Sequence, residues 1–164
     1  MWLHALACAY ASRMIGTILK EENVDDLFLV GLTHDIGKVM LFKPFTDLLD
    51  RSIPFEINEV MENISAAHCG LGSALLEKLD FSDDFLKVAR MHNNENFTDA
   101  TLRYILIVSL ANILTRKIGY SLHEGTDIDL AEVNPAKLLK IDAAELEDVC
   151  VKVKQTMEDA ASKF

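Results

Sequence analysis

From Trp2 onward, apolar residues recur at helical spacing. Leu3, Leu6, Ala7, Tyr10, Met14 and Leu19 make one stripe, which predicts a helix over about residues 2–20. His4, Cys8 and Ala11 share a second face of it through i, i+4 and i+7. Glu21-Glu22-Asn23 interrupts the pattern. A second helix is predicted to start near Val24, with Asp25 and Asp26 in its first turn, where the helix dipole favours acids. It carries Leu27 to Leu32 and leads into His34-Asp35. Its apolar residues run all round, so it is expected to be the central, buried helix. Gly37 kinks it or ends it.

Further along, Pro44 and Arg51-Ser52-Ile53-Pro54 mark loops around a short helix, Phe45 to Asp50. A second short helix is expected over about Glu56 to Asn63. Ser65 reads as the N-cap of a helix from Ala66 to Leu79 that turns Leu71, Leu75, Leu76 and Leu79 inward, with His68 in its first turn. Ser82-Asp83-Asp84 opens a helix from Phe85 to about Asn93, with His92 in its last turn. The most hydrophobic segment, Leu102 to Ile118, holds Asn112 between Leu110 and Leu114 and stops at Gly119. Residues 120–133 form a polar loop without period. Asn134-Pro135 starts a short helix, Ala136 to Lys140. Asp142 and Glu145 resemble a capping box for a last helix reaching about Ala161. No alternating run is long enough for a strand. The expected fold is all-α, a bundle of about seven to nine helices.

Composition narrows the setting. A length of 164 residues, half of them hydrophobic, suits one domain, 1–164, with a sizeable core; 7 glycines and 3 prolines argue against disorder. The net charge of −10 disfavours nucleic acid, whose phosphates need clustered Lys and Arg, but leaves room for a small phosphorylated ligand in one pocket. Cys8, Cys69 and Cys150 are odd in number and form no CxxC, so a disulfide framework or cysteine zinc site is not expected. With no basic leader segment at Met1-Trp2-Leu3-His4, the expected location is the cytoplasm. The apolar stretch from Tyr104 to Leu114 is too short to span a bilayer, so no membrane partner is expected. The helical stripe begins at Trp2 with no cap before it, which suggests a piece of a longer protein.

Candidate chemistry centres on His34-Asp35-Ile36-Gly37-Lys38. An imidazole and a carboxylate side by side at the end of an apolar run suit a divalent metal. Of five histidines, His4, His34, His68 and His92 fall where separate helices could each aim one ligand at a common centre, while His123 lies in the polar loop. Neutral imidazoles with a carboxylate bind Fe, Mn or Zn, and the ion acidifies a bound water. The bland alternative for each histidine is a satisfied core residue. Lys38 lies one turn after His34 and could hold a phosphate oxygen; spacing alone favours a snorkelling surface lysine. Cys69, beside His68, reads as a small buried residue. Asn112 sits in an apolar helix and must bond something, with the His34-Asp35 pair as the expected partner.

The order His4, His34-Asp35, His68, His92 resembles the HD superfamily of metal-dependent phosphohydrolases, and its phrases are closest to the HDOD and HD-GYP-like branches. "GLTHDIGKVMLF" is similar to the HD helix of those branches. "AAHCGLGSALLEKL" is similar to their segment in which a histidine precedes a double leucine. "VARMHNNENF" stands where paired histidines often occur, and "VSLANILTRKIG" resembles the late helix that carries the last metal aspartate of active members. The resemblance spans about residues 2–120. It implies that His34, Asp35 and His4 hold one metal, that His68 and His92 hold a second or contact substrate, that Asn112 is at most a weak ligand, and that Lys38 faces the leaving phosphate. It also shows departures. Asn112 stands in place of the last aspartate, Met91 replaces the first of the paired histidines, and no Gly-Tyr-Pro follows Glu95. The resemblance therefore implies a signal-transduction output domain with weak or no catalysis, working with other signalling domains or proteins. The alternative is a phosphohydrolase acting on a nucleotide or cyclic dinucleotide. A third reading is a helical interaction domain with leftover core histidines.

Overall fold

A computed structural model of the chain describes residues 1–50, 56–121 and 127–162. Arg51-Ser52-Ile53-Pro54, expected as a loop, and His123 lie outside them. Eight helices and no strand are present among the described residues, so the fold is all-α. The helices are α1 (Trp2–Ile18), α2 (Val24–Thr33), α3 (Ile36–Asp50), α4 (Ile57–Lys78), α5 (Asp83–Met91), α6 (Arg103–Lys117), α7 (Asn134–Leu139) and α8 (Ala143–Ala161). They divide into two compact units, one of Met1–Leu32 with His92–Phe164 and one of Thr33–Met91.

In the first unit, α1 packs on α6 and α8, and α7 packs on α6. Residues Ile105 to Asn112 of α6 are buried without interruption. This makes α6 the core of the unit and corrects the expectation for α2, where only Leu27, Val30 and Gly31 are buried and Leu29 is 46% exposed. Ten residues of mixed apolar character are too few to decide burial by pattern alone. α1 is lined with small buried residues, Ala7, Cys8, Ala9, Ala11, Ser12 and Gly16. They admit α2 closely: a β-carbon on Gly31 would stand 3.0 Å from Ala9 Cα and 3.0 Å from the Cys8 carbonyl oxygen. Asp142 caps α8 as expected, accepting from the Glu145 N–H at 2.8 Å while Glu145 accepts from the Asp142 N–H.

The second unit is built on α4, against which α3 and α5 pack. Three boundaries differ from the sequence reading. The chain breaks at His34-Asp35 rather than at Gly37. α3 runs through Pro44, forfeiting the bond that a residue there would donate to the Met40 carbonyl. α4 continues through Ser65, which is therefore no N-cap. Ser65 is exposed and has no Gly or Pro beside it, so nothing stops the helix there.

On α8, burial pushes the Cys150 thiol from its ordinary 9.0 up to about 11. The Lys117 ammonium of α6 is also raised, first by its 2.9 Å hydrogen bond to Glu147. In both groups the folded state holds its proton more tightly. Their stabilisation is whole below the unfolded pKa and fades as pH rises through the folded value. Urea stability is expected to fall between about pH 9 and 11, on the order of 2 kcal/mol of it from the thiol. Cys150→Ala, compared with wild type at both ends of that window, is expected to show a smaller fall; an equal fall would mean that the thiol takes no part.

Candidate metal centre

The site in the second unit starts from one histidine on α4. His68 Nδ1 lies 3.0 Å from the Ile64 carbonyl oxygen and 2.8 Å from that of Ser65. Carbonyls only accept, so Nδ1 carries the proton and Nε2 is left to face the site. Such anchoring of one ring nitrogen by a backbone carbonyl is common among metal-ligating histidines. His68 Nε2 stands 3.4 Å from Asp35 Oδ1, and His34 Nε2 stands 3.5 Å from Asp35 Oδ2. Each carboxylate oxygen thus faces one imidazole. All three residues are buried.

These contacts exist because Gly37 lacks a side chain. A β-carbon there would overlap the His68 carbonyl oxygen and stand 2.7 Å from Gly72 N. The first turn of α3 lies directly on the backbone of α4, and the turn at His34-Asp35 is carried against His68.

The electrostatics admit a cation. With Nδ1 protonated, a neutral His68 brings the electron pair of Nε2 to 3.4 Å from a carboxylate in a buried setting. The Cys69 thiol, 3.3 Å away, can donate to that nitrogen, and a second proton on the ring or a metal ion would also relieve the contact. Each imidazole–carboxylate separation, taken singly, suits two ligands of one ion, because ligand atoms ~2.0–2.3 Å from a tetrahedral ion stand about 3.3–3.8 Å apart, and the two imidazoles face different oxygens of Asp35. Two imidazoles and a carboxylate are borderline donors of the kind that Zn, Fe or Mn accept. The residues present therefore fit a divalent ion.

Lys38 is no loose surface lysine. Its Nζ donates to Asp35 Oδ2 at 2.7 Å, from a side chain only 26% exposed. The i, i+3 spacing of Asp35 and Lys38 allows this pairing.

The remaining predicted residues belong to the first unit. His4 Nδ1 donates to the Tyr120 carbonyl at 2.7 Å, which leaves its Nε2 as the ligand-type nitrogen. His92 is buried just beyond α5, and its own carbonyl accepts from Ser109 Oγ at 2.8 Å. Asn112, 4% exposed, donates from Nδ2 to Asn93 Oδ1 at 3.0 Å. Its partner is thus Asn93, where the sequence pointed to the His34-Asp35 pair.

The sequence reading passed over Cys69. Its Sγ lies 3.3 Å from His68 Nε2, and the residue is half-buried rather than core. Consecutive helical residues point about 100° apart, so adjacency in sequence does not by itself bring their side chains together. The immediate neighbourhood of His68 was the available signal.

Residues 1–95 match the HDOD domain family. The chain belongs to that family. The matched stretch contains His4, His34, Asp35, Lys38, His68 and His92 and ends before Asn112. A crystal structure of an HDOD domain protein of unknown function from Geobacter sulfurreducens is similar to this HDOD chain, with a TM-score of 0.69 and 19% sequence identity. At that identity the likeness is one of fold. It covers 96% of this chain and 61% of the other, so the chain spans about three-fifths of that protein's length. No curated protein sequence matches the chain. Among the described residues, no helix is long and apolar enough to cross a membrane.

Proposed function

We propose that this HDOD chain is a signal-transduction output domain on an HD phosphohydrolase fold. His34, Asp35 and His68 hold a divalent ion (Fe, Mn or Zn), and the domain turns over phosphoesters weakly or not at all. The observation that carries this reading is the Lys38 ammonium seated on Asp35 Oδ2. The ion and the ammonium compete for one carboxylate. The cation that a phosphoryl group would need is thereby spent inside the site, whereas a hydrolase works best with a preorganised cation already facing its substrate. Asn112, tied to Asn93 and lacking a carboxylate's charge, supports the same reading. A small phosphorylated ligand would meet this site with Lys38 already paired to Asp35. The domain reports to other signalling domains or proteins in the cytoplasm, with neither nucleic acid nor membrane as a partner. His4 and His92 are further ligands in this reading, and each is tested by alanine substitution.

The second reading is a metal-dependent phosphohydrolase of a nucleotide or cyclic dinucleotide. The donor set of His34, Asp35 and His68 favours it. One experiment separates the two. The protein is purified without chelator, analysed for bound metal, and assayed on a panel of nucleotides and cyclic dinucleotides beside Asp35→Asn. The expected result is bound metal with hydrolysis no faster than in the variant. Metal-dependent hydrolysis well above the variant would overturn the output-domain reading in favour of the enzyme. Absence of metal and of hydrolysis would leave only a helical interaction domain.

A further inference from the structure

Exposed apolar side chains gather at the corner where α4 turns into α5. Leu79 is 58% exposed and Phe81 is 38% exposed. Phe81 packs on the half-buried Phe85, with ring centroids 5.0 Å apart. We propose that this corner is the docking face for a partner protein, and that it takes a basic amphipathic segment, one whose aliphatic or aromatic side chains are flanked by Lys or Arg. The inference goes beyond the output-domain reading and does not depend on the metal site.

The backbone holds this face in place. α4 ends in a Schellman turn: the Phe81 N–H donates to the Leu76 carbonyl and the Asp80 N–H to that of Glu77, both at 3.0 Å, with Asp80 in the left-handed region at φ 61°. In such a turn the side chain at the Phe81 position usually leans on the one at the Leu76 position. Leu76 is 2% exposed, yet Phe81 keeps more than a third of its surface in water. The Phe85 N–H donates to the Ser82 carbonyl at 3.0 Å, so the opening of α5 fixes the second ring beside the first. Apolar groups carried on a hydrogen-bonded turn lose little freedom when a partner covers them.

Charge selects the occupant. Between residues 77 and 87 stand four acids, Glu77, Asp80, Asp83 and Asp84, against two lysines, Lys78 and Lys87, and all six are exposed. Lys87 is paired with Asp83 at 3.1 Å, which leaves three acids facing one lysine. Such a rim repels the phosphates of an anionic lipid surface or of nucleic acid, as does the net charge of −10. It also disfavours a second copy of this chain. A two-fold interface sets a patch against itself, and here that would press one acidic rim onto another. A segment that carries Lys or Arg beside its apolar side chains matches both the uncovered rings and the charge around them.

The test uses two fluorescein-labelled helical peptides, one with leucines on one face and lysines on the other, and one with glutamates in place of the lysines. Fluorescence anisotropy reads their binding to the full chain, to Leu79→Ser and to Phe81→Ser. The lysine peptide is expected to bind wild type, more weakly as salt is raised, and the glutamate peptide is expected not to bind. Each substitution is expected to weaken binding by at least about tenfold, as the loss of an anchoring side chain does. Circular dichroism checks that the variants are folded. Where one is not, amide chemical-shift mapping of wild type with the lysine peptide replaces it, with the largest shifts expected over residues 76–87. Largest shifts elsewhere overturn the proposal. No binding of the lysine peptide, equal binding of the two peptides, or wild-type affinity in a folded Leu79→Ser or Phe81→Ser protein also overturns it. A monomer–dimer equilibrium in sedimentation that Leu79→Ser abolishes would make a second copy the occupant and overturns it in the same way.

Discussion

Gly37→Ala is expected to cost about 3 kcal/mol of folding stability or more, the upper end of what overpacking usually does. The added methyl would meet the His68 carbonyl oxygen and carbon and Gly72 N, all of them backbone atoms of α4. A flexible side chain could swing aside; a helix backbone moves only by parting α3 from α4. Two neighbouring glycines provide the controls. At Gly72 a β-carbon would lie 3.2 Å from Gly37 N and 3.6 Å from Gly37 Cα, tight but short of overlap, so Gly72→Ala is expected to lose less. At Gly70 nothing lies within 4 Å, so Gly70→Ala is expected to gain ~0.5–1 kcal/mol from helix propensity. Urea unfolding of the three variants checks the order. Gly37→Ala as stable as wild type would mean that α3 does not lie on α4 at this point. Against a total of roughly 5–15 kcal/mol for an ordinary domain, the expected loss is large enough to read plainly.

Helix positions were legible in the sequence because each helix carries its own period. The helical spacing of α1, the acids opening α2 and α5, and the capping box of α8 are local signals, and the structure has those helices, acids and box; of the stripe read on α1, however, only Ala7 is buried and Leu3 is 54% exposed. Failures came where a local signal met a tertiary one. Pro44 and Ser65 look like boundaries in isolation, yet α3 and α4 run through them. Burial was misjudged between α2 and α6 for a similar reason. Both are rich in apolar residues, but only the neighbours of α6 enclose it on every side, and no sequence pattern states who the neighbours are.

The site was legible in its residue types and less so in its wiring. His34, Asp35 and His68 stand out in sequence because buried imidazoles beside a carboxylate need a reason. The structure supplies what spacing could not. Lys38 pairs with Asp35 rather than simply sharing a face with His34. Asn112 bonds Asn93, a residue that the sequence offered only as the end of a helix. Cys69 reaches His68 Nε2 although the two are consecutive on a helix. Each of these depends on side-chain rotamers, which the order of residues does not fix.

Asp35→Asn is expected to lower affinity for a divalent ion by more than about a hundredfold, beyond the range that loss of a supporting partner produces. The substitution keeps the shape of the side chain and removes the charge that both imidazoles and Lys38 face. The effect on stability should be smaller and of a different origin. The new amide can donate to His68 Nε2, so that contact survives. Lys38 loses its carboxylate, but with a quarter of its side chain exposed it can extend its ammonium to water. Screening at such a position limits the loss to ~1–2 kcal/mol rather than the ~3–5 kcal/mol of a fully buried broken pair. The double variant Asp35→Asn/Lys38→Met separates the two effects: removing the stranded ammonium is expected to restore part of the stability and none of the metal affinity. Competition titrations against a chromophoric chelator give the affinities, and urea unfolding of the metal-free proteins gives the stabilities. Wild-type affinity in a folded Asp35→Asn protein would place the ion elsewhere and remove Asp35 from the centre. Metal affinity that returned in the double variant would show that Lys38, and not the carboxylate, controls occupancy.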